Sequence, residues 1–266
     1  MVSRDCPVNL LAPQSCSIGP FISSGYPAWR KTYRGTSLIA VREDSMNTTV
    51  VKLSDVLGKV RASEQEGRRR LQESAPRVTL TERHTAGAML LPSREAMLDR
   101  LPKKAVACEI GVANGDFSAA ILQLAEPSIL HLVDAWDDPR YAADFAVVEY
   151  GFRNKILDGT VKIHRGFSTD RLPEFPENYF DWVYIDTDHS YATTARELEI
   201  CVRKVKPEGL IAGHDFCTGN VVTPYPYGVI EACLEFCERE EWGFKYLALS
   251  PDGHFSFCLH RLTKEA

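Results

Sequence analysis

From Ala105 to His260 the chain alternates short apolar runs with amphipathic stretches of helical period, and this alternation limits the fold more than any other feature. Strands are expected over 105–110, 129–133, 161–164, 182–185, 210–212, 244–249 and 255–260. Helices are expected between them, over 117–125, 141–157, 191–205 and 229–240. A strand that is apolar on both faces must be covered on both, so the fold class is α/β: a doubly wound, mostly parallel, seven-stranded sheet with helices on each side.

Ahead of this block, residues 1–92 are expected to form an N-terminal extension, acting as a lid over a ligand pocket or as a dimerisation segment, with residues 93–266 as the α/β domain. Within the extension two strand-like pieces, 37–41 and 48–53, precede a helix over 54–73 with Ser54 as its N-cap. Arg68, Arg69 and Arg70 near its end suit the negative end of a helix dipole and read as a solvated cluster. A short helix over 93–100 should stop before Pro102.

Composition narrows the function. Of 266 residues 44% are hydrophobic and 25% charged, enough for a large core. The net charge of -5 gives no overall positive field to draw in nucleic acid or an anionic membrane, so a small-molecule ligand is expected. No run approaches the roughly 20 apolar residues of a membrane span. The 8 cysteines contain no CxxC pair, which fits a reducing, cytoplasmic setting. Cys233 and Cys237 share the apolar stripe of their helix with Ile230 and Leu234, so core packing accounts for their spacing.

In doubly wound sheets ligands sit beyond the carboxyl ends of the strands. The first such exit is Glu109-Ile110-Gly111-Val112-Ala113-Asn114-Gly115, running straight into a helix. Gly111 and Gly115 can take positive φ and let a ligand approach the backbone. Asp134, followed by Ala135, ends the next strand, where a carboxylate can accept hydrogen bonds from a ribose diol. The pattern reads as a nucleoside site. A dinucleotide fold is the competitor, but G-x-G-x-x-G is absent, and Glu109 puts a carboxylate where pyrophosphate would lie.

The loop Glu109-x-Gly111-x-x-x-Gly115 followed by Asp134 resembles the first motifs of the class I S-adenosylmethionine-dependent methyltransferases, over about residues 93–262. The resemblance implies S-adenosyl-L-methionine as donor. It sets Gly111, Ala113 and Gly115 at the methionine part, Asp134 at the ribose hydroxyls, and Gly166, Phe167 and Ser168 beside the adenine, with Glu109, Asn114, Ala135 and Asp186 also binding the donor.

Further exits bring Asp186, Asp188, His189, His214 and Asp215 to the same rim. The segments Ile185-Asp186-Thr187-Asp188-His189-Ser190-Tyr191 and Gly213-His214-Asp215-Phe216 resemble the metal-dependent O-methyltransferases of the catechol type and, more closely, the macrolide-sugar (macrocin-type) group. That likeness implies an O-methyltransferase with Asp186 as a catalytic metal ligand, His189 as general base, and His214 with Asp215 completing a site for Mg2+ or another divalent cation. His214 departs from the family's oxygen ligands and shifts the preference toward transition metals. Asp188 also fits a helix start, and Trp136, Asp137 and Asp138 fit either a pocket wall or a solvated turn. The expected reaction is methylation of a hydroxyl on a sugar, phenolic or polyketide acceptor by a cytoplasmic enzyme that can form homo-oligomers. Metal-independent N- or carboxyl-methylation, and a non-catalytic nucleoside-binding protein, remain as alternatives.

Overall fold

A computed structural model describes residues 38–43, 47–220 and 225–263. The chain divides into two compact units, Met1–Val56 and Leu57–Ala266. In the first, β1 (Leu38–Glu43) and β2 (Asn47–Lys52) form an antiparallel pair. Helix α1 (Leu53–Ser74) follows; it starts at Leu53, so Ser54 lies inside the first turn and is not the cap. Its arginines are tied along the helix, Arg69 to Glu66 and Glu73 and Arg70 to Glu66, as a solvated face does.

The second unit is built on one sheet of eight strands: β3 (Met89–Leu91), β4 (Val106–Ile110), β5 (Ile129–Asp134), β6 (Val161–Arg165), β7 (Phe180–Ile185), β8 (Val205–Gly213), β9 (Trp242–Ala248) and β10 (Ser256–Arg261). Their order is β3-β9-β10-β8-β7-β4-β5-β6, with β10 antiparallel to both neighbours and the other pairs parallel. The count is corrected from seven to eight by β3, which pairs with β9 through three residues, too few to show a period in the sequence. The sheet therefore takes in residues ahead of position 93.

Helices α2 (Arg94–Leu98), α3 (Asp116–Leu124), α4 (Asp144–Gly151), α5 (Arg153–Leu157), α6 (Ser168–Arg171), α7 (Tyr191–Lys204) and α8 (Val229–Glu240) link the strands. The single helix expected over 141–157 is two, because the backbone leaves helical geometry at Phe152. That residue turns its ring toward Gly115, where an added Cβ would meet it at 2.9 Å. Ser93 caps α2, its hydroxyl accepting from the Ala96 amide.

Successive side chains of β7 alternate between two cores. Val183 and Ile185 join Leu198, Cys233, Phe236 and Cys237 on one face, and Trp182 and Tyr184 join Ile121, Leu130 and Trp136 on the other. Each buried aliphatic side chain contributes about 1.5–3 kcal/mol, which explains why the central strands read as unbroken apolar runs. Cys233 and Cys237 are buried core residues, as their stripe implied. The chain order reverses between β4 and β7, which opens a crevice at the carboxyl edge there.

Candidate functional site

Four neighbouring strands leave the carboxyl edge through a non-glycine residue in the left-handed region: Ala113 after β4, Trp136 after β5, His189 after β7 and Asp215 after β8, with φ of 48°, 44°, 60° and 55°. Such backbone costs of order 1–3 kcal/mol per residue and persists where the surroundings impose it, typically at functional sites. Ordinary side chains in those positions gave the sequence no sign of it.

Around the first exit the packing is close. Gly111 has φ of 86°, and a Cβ there would lie 1.9 Å from the Asp186 carbonyl oxygen, so only glycine lets the β4 and β7 exits meet. Asp134 organises the loop. Its Oδ2 accepts from the amides of Val112 and Ala113 at 2.7 and 3.0 Å, and its Oδ1 accepts from the Trp136 amide at 2.8 Å. Trp136 is buried and its indole N–H donates to the Ala113 carbonyl at 2.9 Å, so it braces the loop from below. Asp137 and Asp138 fall in the turn that follows, where the Arg140 guanidinium pairs with Asp138 and holds that carboxyl near 2. Asn114 Oδ1 accepts from the Asp116 amide just ahead of α3, whose N-cap is Gly115.

Glu109 sits behind the loop. It is buried, accepts a short hydrogen bond from the Ser118 hydroxyl of α3, and burial together with Asp186 and Asp134 lifts its carboxyl to about 8. Burial thus works against a negative charge on this carboxyl near neutral pH.

At the β6 exit Gly166 donates its amide to the Asp134 carbonyl, and Arg165 reaches the carbonyl of Ala135 at 3.4 Å. Phe167 leaves 56% of its surface exposed. Ser168 donates to Glu197 of α7 at 2.5 Å, and Thr187, after β7, donates to the other oxygen of the same carboxylate at 3.0 Å. Burial raises Glu197 to about 7, with the two hydroxyls acting against it.

The remaining titratable residues gather beyond β7 and β8. His189 Nε2 lies 3.1 Å from Asp215 Oδ2, and its ring packs on Tyr227 with centroids 4.6 Å apart. His214 Nδ1 is 3.6 Å from Asp186 Oδ2 and 3.6 Å from Asp215 Oδ1. Asp186, His189 and Asp215 each offer a ligand atom within 4.8 Å of the others, so oxygen and nitrogen donors suited to a divalent cation converge. Burial raises Asp186. Asp215 is penalised by burial too, but His214, His189 and His254 outweigh it and bring the carboxyl down to about 2. Burial disfavours the charged form of His214, yet Asp215 and Asp186 leave its pKa above the ordinary value. Asp188 points away from this group: it accepts from the Ser190 amide and the Thr193 hydroxyl, while Ser190 caps α7.

The structure thus brings Gly111, Asp186, His189, His214 and Asp215 together and lays the Ala113 and Asp134 exits alongside. Sequence reasoning did not single out Glu197, Thr187, Tyr227 or His254. Thr187 sits inside the Ile185–Tyr191 segment without a role assigned to it there, and chain reversal delivers Glu197, Tyr227 and His254 to this rim.

Residues 108–216 match a family model described as a methyltransferase domain. Among solved structures, a Clostridium thermocellum protein described as an rRNA methylase is 13% identical, with a TM-score of 0.50 over 65% of this chain and 95% of its own; it shows the shared fold. A precorrin-6y C5,15-methyltransferase from Geobacter metallireducens is 15% identical, with a TM-score of 0.48 over 63% and 87% of the two chains. The pyocyanin biosynthetic protein PhzM is 14% identical, with a TM-score of 0.48 over 62% of this chain, which spans 54% of that protein's length. No curated protein matches the chain. Among the described residues no helix is long and apolar enough to cross a membrane.

Proposed function

We propose that the chain is a class I S-adenosylmethionine-dependent methyltransferase, a reading supported by the methyltransferase-domain match over residues 108–216, and that it transfers the donor's methyl group to a hydroxyl of a small molecule with His189 as general base. The observation that carries this reading is the His189–Asp215 pair, 3.1 Å apart at the mouth of the crevice and flanked by Tyr227. An imidazole oriented by a buried carboxylate is the arrangement that removes a proton from a weakly acidic hydroxyl.

In this reading the loop from Gly111 to Gly115 and Asp134 hold the donor, with Phe167 and Ser168 at its base. Methyl transfer is an in-line displacement: the acceptor oxygen forms its bond to the methyl carbon as the carbon–sulfur bond breaks, and the sulfonium leaves as a neutral thioether. His189 takes the hydroxyl proton. Asp215 stabilises the imidazolium that forms, and its low pKa keeps it ionised for that task. Asp186 and Asp215, with His214 beside both, would hold a divalent cation. When bound, such a cation supplies a lower pKa to an acceptor oxygen.

The reading is tested with isotope-labelled S-adenosylmethionine and a panel of hydroxylated acceptors. His189→Ala is expected to lower kcat by about 10²–10⁴-fold while S-adenosylhomocysteine binding, followed by calorimetry, stays within a few-fold of wild type. Normal turnover in that variant would remove His189 as base. Full turnover after chelation would remove the cation, and binding of a nicotinamide dinucleotide in place of S-adenosylhomocysteine would overturn the donor.

A further inference from the structure

Asp215 presents its two oxygens to different partners. Oδ2 faces His189 of the proposed catalytic pair. Oδ1 is in short hydrogen-bond contact with Nδ1 of His254, which lies in the turn between β9 and β10. The same His254 nitrogen is 3.8 Å from the Sγ of Cys217. Asp215, Cys217 and His254 each offer a ligand atom within 4.8 Å of the others, and each is largely shielded from solvent.

The fold fixes this convergence. Phe216, between the two β8-exit ligands, packs on Phe244 and Phe257, and its amide donates to the Phe255 carbonyl at 2.9 Å. That bond holds the β8 exit against the segment carrying His254. The Cys217 amide donates back to the Asp215 carbonyl at 2.7 Å, bending the chain between those two residues. Within the β9–β10 turn, Asp252 accepts from the His254 amide at 3.1 Å and from the Ser250 hydroxyl at 2.6 Å, which sets its shape.

As they stand, His254 is bonded to Asp215 and the Cys217 thiol donates to the Gly219 carbonyl at 3.5 Å while facing the same ring nitrogen. A single metal ion would engage all three ligand atoms at once. Across a tetrahedral zinc, sulfur and nitrogen ligands stand about 3.5 Å apart and nitrogen and oxygen about 3.3 Å. The Cys217–His254 pair is near that value already, and the Asp215–His254 contact needs only to open.

We propose that Asp215 Oδ1, Cys217 Sγ and His254 Nδ1 form a site for a zinc-class transition-metal ion, distinct from the Asp186, His189 and Asp215 grouping and sharing one carboxylate with it. Thiolate and imidazole donors select zinc or cobalt over magnesium. Three protein ligands leave the fourth tetrahedral position for water or an acceptor atom, the pattern of catalytic rather than structural zinc. On binding, the Cys217 thiol releases its proton to solvent, and neutral His254 moves its ring proton to Nε2 to free Nδ1. The shared carboxylate then couples the metal to His189, as an outer-sphere carboxylate orients a histidine. This inference rests on the geometry of the three ligands and is independent of the reaction assigned above.

The test is titration of the metal-stripped full chain with Co2+, following the near-ultraviolet thiolate-to-cobalt charge-transfer band, and with Zn2+, following modification of Cys217 by a thiol reagent. The expected result is a band that saturates at one equivalent, persists under excess Mg2+, and is lost in Cys217→Ser and His254→Gln. In the wild type Zn2+ should protect one thiol, identified by peptide mapping as Cys217. A missing band, a band retained in Cys217→Ser, or a Cys217 that stays reactive under saturating Zn2+ would overturn the site. Wild-type protection does not depend on the variants folding. Calorimetry of S-adenosylhomocysteine with the metal-stripped protein separately reports whether the donor reading fails.

Discussion

At the scale of single residues, two glycines of one loop do different work. Gly111 faces backbone: an added Cβ would stand 1.9 Å from a carbonyl oxygen that cannot retreat without moving the β7 exit. Gly115 also has positive φ, but an added Cβ would meet the Phe152 ring at 2.9 Å, and a ring can shift. Gly111→Ala is therefore expected to destabilise the protein by more than about 2 kcal/mol and to abolish S-adenosylhomocysteine binding. Gly115→Ala should cost nearer 1 kcal/mol. Urea unfolding and calorimetry of both variants check the order, and equal losses would mean that the contact with Asp186 does not matter. The sequence marked both glycines from their spacing alone. It could not rank them, because the atom that makes Gly111 indispensable belongs to a residue 75 positions away.

At the scale of elements, α7 connects two strand exits through one carboxylate. Glu197 accepts from Ser168 after β6 and from Thr187 after β7, so one helix sets the spacing of two loops on the rim. Removing it leaves two half-buried hydroxyls without that partner. Glu197→Ala is expected to lower stability by about 1–3 kcal/mol and to weaken S-adenosylhomocysteine binding, with Glu197→Gln retaining most of both. Chemical denaturation and calorimetry measure the two effects. Unchanged binding in Glu197→Ala would show that the tie is structural only. Most elements were legible because hydrophobic period is local: α8 begins and ends where its pattern does, and β5 and β7 differ from expectation by one or two residues. The misses include the three-residue β3, the four-residue α6, the start of β8 at Val205 in place of Leu210, and the break at Phe152.

At the scale of the whole molecule, two buried carboxyls make stability depend on pH. Glu109 titrates near 8 and Glu197 near 7 in the folded chain, against an ordinary value of 4.5. Between the unfolded and folded values the native state keeps protons that the unfolded chain has released. Their stabilising contribution is therefore full below about pH 4.5 and is lost as pH rises through 7 to 8, with a slope of at most about 1.4 kcal/mol per pH unit for each group. Tm measured from pH 5 to 8 should fall less steeply in Glu109→Gln than in wild type, and parallel curves would refute the assignment. Sequence by itself determined the α/β layering, the glycine-bearing loop after β4 and the set of acidic and imidazole residues at strand ends, because each is written in local period and spacing. Only the tertiary structure decided that Glu109 is buried, that His189 pairs with Asp215, and that His254 reaches the same carboxylate from 39 residues away. Those facts depend on burial and on which strands lie side by side, quantities that no local stretch of sequence contains.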